Sequence, residues 1–346
     1  MQRLGQTLYA SLLLALCFVF TQARAEKIII DADVGIDDAM AIMLAFSSPE
    51  LEVLGIVSSF GNASIDNATR NARYLVDLMG SNTPVVRGTE RPMHIPEGEP
   101  ADFVHGANGL GNIDFDEPET PLVSGISGAE FILQQSRLYP GELTLVPVGR
   151  LTNLALALKL DPTLPERIKR VVLMGGAFKV EGNVTPVAEA NIWGDPDAAD
   201  AVFSAQWSVV ALGLDVTTQI TVNETHHEKL AKDNPPVGNF LQATSAFYLD
   251  FYRSIGVSDG YYLHDPSAIL YLTHPDIFET VRAPVRVASE GLSLGHTIAA
   301  FGELHRSRGE WSGIPETTIA LDVDEKKARK IYLQRLATLK LHTVAE

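Results

Sequence analysis

A chain of 346 residues with 43 acidic and 27 basic side chains carries a formal charge of −16 at pH 7. That balance disfavours nucleic acid and anionic membranes as partners, and no basic cluster offsets it. A single cysteine, Cys17, rules out an intramolecular disulfide.

Residues 1–25 read as a secretory signal peptide, with Arg3 near the start, an apolar run from Leu12 to Phe20, and a small-x-small site at Ala23-Arg24-Ala25. The run is short for a membrane span, although a retained N-terminal anchor is the alternative. Leu16 stands where a lipidated Cys17 would need a small residue. Cleavage after Ala25 removes the cysteine and leaves residues 26–346 as a single domain, with no linker or repeat dividing it.

From there strand-like and helix-like segments alternate. "KIIID" is a strand, the pattern from Asp37 to Phe46 is helical, and "LEVLGIVSSF" is a strand again. Ser64 caps a helix running to Met79, and "TPVV" follows as a short strand. Then come a helix from Ala129 to Leu138, the strand "ELTLVPVG", a helix from Leu151 to Leu160 and the strand "RVVLMGGAF". "DPDAADAVF" is helical, "WSVVALGLDV" is a strand, Glu224 to Arg253 is a helical insertion, and a last helix starts at Asp324. Continuous apolar strands between helices imply an α/β fold: a mostly parallel, doubly wound central sheet covered by helices on both faces. Ligands bind such sheets at the carboxyl ends of the strands. The polar stretches "DADVGIDD", "SSFGN", "VPVGRLTN", "MGGAF" and "GLDVT" each fall there.

Asp31, Asp33, Asp37 and Asp38 crowd into eight positions around Gly35. Helix capping explains one or two of these carboxylates, not four. An EF-hand loop requires Glu where Ile42 stands. A haloacid-dehalogenase-type phosphatase also places D-x-D after a strand, but wants Thr or Val at the position of Gly35. A dedicated oxygen-ligand site fits best, and carboxylates with carbonyls suit calcium or magnesium. "YYLHDPSAIL" puts His264 and Asp265 before a helix with Pro266 in its first turn, where Asp265 could simply be the cap. Asn183, Glu189 and Asn191 share a Gly-containing loop and suit sugar hydroxyls, while His105 sits in "FVHGANGLG", which reads as a mobile lid. Tyr261, Tyr262, Trp193 and Phe178 are stacking candidates for an apolar group.

Taken in order, "DADVGIDDA", "FGN", "HGANGLG", "VPVGRLTN", "VVLMGGAF", "GNVTPVAEANI" and "LHDP" resemble the inosine-uridine preferring nucleoside hydrolases over nearly all of the chain after the signal. The resemblance implies the nucleoside hydrolase fold and calcium-dependent hydrolysis of a ribonucleoside to ribose and free base. It implies that Asp33, Asp38, Asp265 and the carbonyl of Val148 ligate one calcium ion (Ca2+), and that Asp33 takes the proton of the attacking water. It places Asp37 on a ribose hydroxyl, Asn62, Asn183, Glu189 and Asn191 around the ribose, His264 near the departing base and His105 over the pocket. Asp31 supports the loop. Val34 and Val148 stand where the family has Pro and often Thr. Arg150 and Ala190 replace a smaller and an aromatic residue, and both are expected to reshape the pocket.

The alternatives are a secreted phosphatase of the haloacid-dehalogenase kind and a secreted nucleoside-binding protein without activity. Asn62 and Asn183 are also N-glycosylation sequons, and glycans there would block the ribose site. The expected compartment is therefore a bacterial periplasm. The assembly is left open between a homodimer and a homotetramer.

Overall fold

The computed structural model describes residues 24–96, 98–306 and 308–342. The signal-peptide reading thus lies almost wholly outside the described residues. The strands are β1 (Glu26–Ala32), β2 (Leu51–Ser58), β3 (Val85–Arg87), β4 (Leu122–Val123), β5 (Leu143–Pro147) and β6 (Ile168–Met174). They continue as β7 (Val209–Leu212), β8 (Thr221–Val222), β9 (Tyr261–Tyr262), β10 (Phe278–Val287), β11 (Thr297–Ala299) and β12 (Glu316–Val323). Helices α1 (Ile36–Phe46), α2 (Ile65–Leu78), α3 (Asp102–His105), α4 (Gly128–Leu138), α5 (Thr152–Leu160) and α6 (Ala190–Gly194) occupy the first part of the chain. The rest holds α7 (Pro196–Ser204), α8 (Leu214–Thr217), α9 (Glu224–Asp233), α10 (Pro235–Ser254), α11 (Pro266–Thr273) and α12 (Glu325–Thr338).

Ten strands form one sheet in the order β11-β10-β12-β7-β6-β5-β1-β2-β3-β4. The pairs from β4 to β12 are parallel, and β10 runs antiparallel to both β12 and β11. The α/β fold is as the alternating pattern implies. The antiparallel edge is not visible in the sequence, because β10 runs through four consecutive exposed residues and β12 mixes buried and half-buried positions, so neither is a long apolar run.

Strand β1 shows why the sheet is covered twice. Ile28 and Ile30 point to the face packed by α1, α10, α11 and α12, and Ile29 points to the face packed by α4, α5 and α7. All three are fully buried, at about 1.5–3 kcal/mol of favourable transfer each. Helix α1 is buried along ten of its residues, so its apolar pattern runs all round. The helical insertion resolves into α9 and α10, broken at Asn234-Pro235, where proline starts the second helix. No described helix is long and apolar enough to cross a membrane.

The chain winds outward from β1 through β2, β3 and β4, then returns to β5 beside β1 and winds the other way. The β1/β5 border is therefore the switch point, where helices leave to opposite sides and a crevice opens at the carboxyl ends. Asp31 pairs in register with Pro147, so Asp33 and Val148 emerge together at that crevice.

Candidate active site

The two ends of the sheet treat charge differently. At the amino ends, Glu26 forms a two-pronged bond to Arg170 at 3.0 and 2.8 Å, and Lys27 lies 3.3 Å from Glu142. At the carboxyl ends, Asp31, Asp33, Asp37, Asp38 and Asp265 each keep one buried carboxylate oxygen without a hydrogen-bond partner. Buried oxygens left unpaired in such number need a physical reason.

Local geometry holds these acids in place. Helix α1 is capped by Gly35, whose N–H donates to Asp38 Oδ2 at 2.8 Å, and the Asn62 side chain donates to the same oxygen at 2.9 Å. The capping explanation thus accounts for one oxygen of Asp38 and leaves the other facing the crevice. Asp265 precedes α11 but makes no side-chain capping bond, so its carboxylate is free for the cluster instead. Asp33 Oδ2 accepts the backbone N–H of Asn62 at 2.8 Å. Asp31 accepts Asn153 Nδ2 at 3.0 Å, a loop-supporting contact. Carboxylate oxygens of Asp37, Asp38 and Asp265 lie within 4.8 Å of one another. That spacing suits one hard, oxygen-bound divalent cation, with Asp37 in the set where Asp33 was expected as a ligand.

Burial raises the proton affinity of every one of these acids. It pushes Asp31 up to about 8, with the charge of Asp38 adding to the effect. Burial also lifts Asp37 to about 6, and burial with the Asp37 charge lifts Asp38 to about 6. Asp33 and Asp265 are raised by burial and then by the neighbouring aspartates. Such a cluster is unfavourable as it stands, and hard-oxygen donors of this kind are what a divalent cation requires.

Two glycines shape the cradle of Asp33. Gly61 has φ +153°, and a Cβ there would lie 1.9 Å from Asp33 Oδ2. A Cβ at Gly149 would lie 2.7 Å from Asp33 Oδ1. Gly61→Ala should therefore displace the Asp33 carboxylate and lower kcat by at least about tenfold, with far-ultraviolet circular dichroism unchanged. Wild-type kcat in the folded variant would contradict this.

A cavity of about 210 Å³ opens above the cluster. Its polar lining is formed by Asp37, Asn62, Asn183, Glu189, Asn191 and Asp265. Glu189 caps α6 and accepts N–H groups of Gly176, Asn191 and Ile192 at 2.9–3.1 Å, and its carboxyl is raised by burial. Asn191 Nδ2 donates to the Val148 carbonyl at 2.6 Å, which places that oxygen at the floor of the site. Asn183 is exposed and accepts the Ala190 N–H at 3.0 Å, at the mouth. The cavity's apolar lining is formed by Phe103, Val184, Leu214, Phe251, Ile255 and Tyr262.

His105, Tyr248, Tyr252 and His264 also line it. Tyr248 donates to Asp37 Oδ2 at 3.1 Å and lies 3.4 Å from the Tyr252 hydroxyl. That hydroxyl is 2.7 Å from His264 Nε2, and His264 Nδ1 is 2.7 Å from the Thr217 hydroxyl. Burial pushes His264 down to about 4, so the ring is neutral near pH 7.

Three expectations are corrected here. His105 is not on an open lid: it is buried, accepts the Ile36 N–H at Nδ1 (3.2 Å) and anchors the start of α1. The Gly-rich stretch after it is tied down by Asn108, whose side chain bonds Leu110, Asn112 and Ile113. Of the four stacking candidates only Tyr262 lines the cavity, because Tyr261 is fully buried behind it and Trp193 and Phe178 lie outside. Arg150, expected to reshape the pocket, is not among the residues that line it and stacks on Phe60 instead, whereas Ala190 does line it. Lining residues not singled out from the sequence include Phe103, Val184, Leu214, Tyr248, Phe251, Tyr252 and Ile255. The i, i+4 spacing of Tyr248 and Tyr252 was the available signal, although such a stripe usually marks core.

A family model for inosine-uridine preferring nucleoside hydrolases matches residues 28–330. The chain belongs to this family and is a hydrolase of N-glycosyl bonds. It is similar to the probable uridine nucleosidase 2 of Arabidopsis thaliana, 41% identical over 90% of this chain and 97% of that protein. It is 36% identical to the inosine-uridine preferring nucleoside hydrolase of Leishmania major, over 80% of this chain and 88% of that one. Among solved structures, the plant nucleoside hydrolase PpNRh1 superposes with a TM-score of 0.87 at 35% identity, covering 90% of this chain and 99% of that chain. The purine-preferring ribonucleoside hydrolase of Gardnerella vaginalis gives 0.84 at 33% identity, covering 91% and 99%. The phosphatase and inactive-binder alternatives are set aside by this family membership.

Proposed function

We propose that this chain hydrolyses ribonucleosides to ribose and free base with Ca2+ held by Asp33, Asp38, Asp265 and the Val148 carbonyl. The observation that carries the reading is the cluster of buried, unpartnered carboxylate oxygens, two of whose acids, Asp37 and Asp265, line a cavity that is otherwise walled by aromatic and aliphatic side chains. A ribose suits the polar lining and a nucleobase the apolar lining. Calcium supplies charge that offsets the carboxylates and acidifies a bound water.

The chain's own residues do the rest. Asp33, with Oδ2 engaged by Asn62 and Oδ1 unpaired, is placed to accept the proton of the attacking water. Asp37, Asn62, Asn183, Glu189 and Asn191 orient the ribose, and Asp37 and Glu189 stabilise the positive charge that develops on the ring. The apolar wall receives the base by stacking, with few groups to discriminate one base from another. His264, ordered by Tyr252 and Thr217, is the group best placed to protonate the leaving base. The plant relatives named uridine nucleosidases make uridine the leading substrate. The test is ribose release from uridine, inosine, adenosine, guanosine and cytidine by the purified chain. Uridine turnover is expected, and release of phosphate from nucleotides without ribose would overturn the proposal.

We further propose export to a compartment without N-glycosylation. Asn62 donates its side chain to Asp38, so a glycan on that nitrogen is incompatible with the site. Cell fractionation should find mature protein in the periplasm. Cytoplasmic protein retaining residues 1–25 would contradict it.

A further inference from the structure

Strand β11 carries its polarity inside out. Thr297 is buried at 1% exposure, while the apolar Ile298 beside it is 38% exposed. Alternation along a strand would favour the reverse, so the hydroxyl faces inward for the bonds it makes. Thr297 Oγ1 accepts the N–H of Ala177 at 2.9 Å and donates to the carbonyl of the same residue at 2.9 Å. One hydroxyl thereby engages both backbone groups of a residue 120 positions away, in the loop that follows β6. The preceding residue, Gly176, donates its N–H to Glu189 Oε2 at 3.0 Å. Gly176 has φ +93°, and a Cβ there would lie 3.1 Å from Thr297 Cγ2. The same hairpin holds the other side of Glu189. Ala188, fully buried and next to Glu189 in the chain, forms an antiparallel bridge with His296. Gly295 turns there at φ +80°, and a Cβ on it would lie 3.0 Å from Ala188 Cβ.

We propose that Thr297 is a positioning residue for Glu189, and that the β10–β11 hairpin serves the reaction as the brace of the ribose loop. The inference rests on the proposed ribose role of Glu189. Thr297 is not among the residues that line the cavity, so it acts through Glu189 and not on substrate. Glu189 accepts N–H groups from Gly176 on one side and from Asn191 and Ile192 on the other, so its carboxylate sits where those backbones put it. Removing the Thr297 hydroxyl leaves a buried donor and a buried acceptor of Ala177 without that partner, and the turn must shift to find others. The Gly176 N–H shifts with it. Misplacing an orienting group by about 1 Å costs on the order of a hundredfold in rate.

The test is a double-mutant cycle on the mature chain in calcium, read as kcat/KM for ribose release from whichever of the five nucleosides the wild type turns over fastest. Thr297→Val keeps the shape, removes the hydroxyl and should lower kcat/KM on the order of a hundredfold. Thr297→Ser keeps the hydroxyl and should stay within about threefold of wild type. In a Glu189→Gln background, itself impaired, Thr297→Val should cost no more than about twofold further, because both changes act through one carboxylate. Thr297→Ala repeats the cycle should the Val variant not fold. Near-wild-type activity of Thr297→Val overturns the inference and leaves Glu189 on the ribose. So does a Thr297→Ser enzyme as impaired as the Val variant, or a double variant whose two losses multiply, the mark of a merely structural role. Wild-type activity of Glu189→Gln overturns the ribose role of Glu189 and the inference with it.

Discussion

Asp265→Asn should lower kcat on any nucleoside by on the order of a thousandfold or more, while leaving the ion-free chain as stable as wild type or more so. Two observations combine to give this result. The Asp265 carboxylate makes no capping bond to α11, and one of its oxygens is buried without a partner, so little hydrogen bonding is lost. Burial and the charges of Asp37, Asp38 and Asp33 push its pKa well up, so neutralising it relieves repulsion in the ion-free state. Activity and stability should therefore move apart. Asp38→Ala should be equally inactive but less stable, because Asp38 also bonds Gly35 and Asn62. Substrates lacking the 2′ hydroxyl should be poor with the wild-type chain. Kinetics on both variants, with chelator melts, check the pair. An active Asp265→Asn enzyme, or equal use of inosine and 2′-deoxyinosine, would refute the assignment.

His264→Ala should depress inosine hydrolysis by on the order of a hundredfold or more and barely affect p-nitrophenyl riboside, whose leaving group needs no proton. The structure adds a condition to that expectation. Both ring nitrogens are already bonded, at 2.7 Å each, and burial holds the ring neutral near pH 7. A neutral ring must therefore first take up a proton to act as the acid, and the base must then displace the Tyr252 hydroxyl at Nε2 or receive the proton through it. Tyr252→Phe should then cost inosine hydrolysis more than riboside hydrolysis as well, though less than His264→Ala. Equal losses on the two substrates in either variant would return His264 and Tyr252 to structural duty.

The aspartate cluster was legible because its chemistry is local. Strand, glycine turn and helix start within eight residues, and no side-chain period or cap consumes four carboxylates. The strands β1, β2, β3, β5, β6 and β7 were legible for the same reason, since each is a buried apolar run, whereas β4, two half-exposed residues, was not. What escaped was long-range. Tyr248 meets Asp37 across 211 positions, and nothing in the α10 sequence separates a tyrosine aimed at a site from one in the core. His105 was misread because glycine content marks a turn, not its mobility, and the turn is pinned by Asn108. Arg150 was expected to reshape the pocket because it replaces a smaller residue of the family. It instead stacks on Phe60, with its stem in space left by Gly194.

Uridine turnover by the chelator-stripped mature chain, measured before and after addition of one equivalent of calcium, tests the central claim most directly. The account predicts no base release in excess chelator and recovery of turnover as the single site fills, with ribose and uracil formed in equal amounts. Undiminished turnover in excess chelator would show that the buried carboxylates work without a cation, and would contradict it.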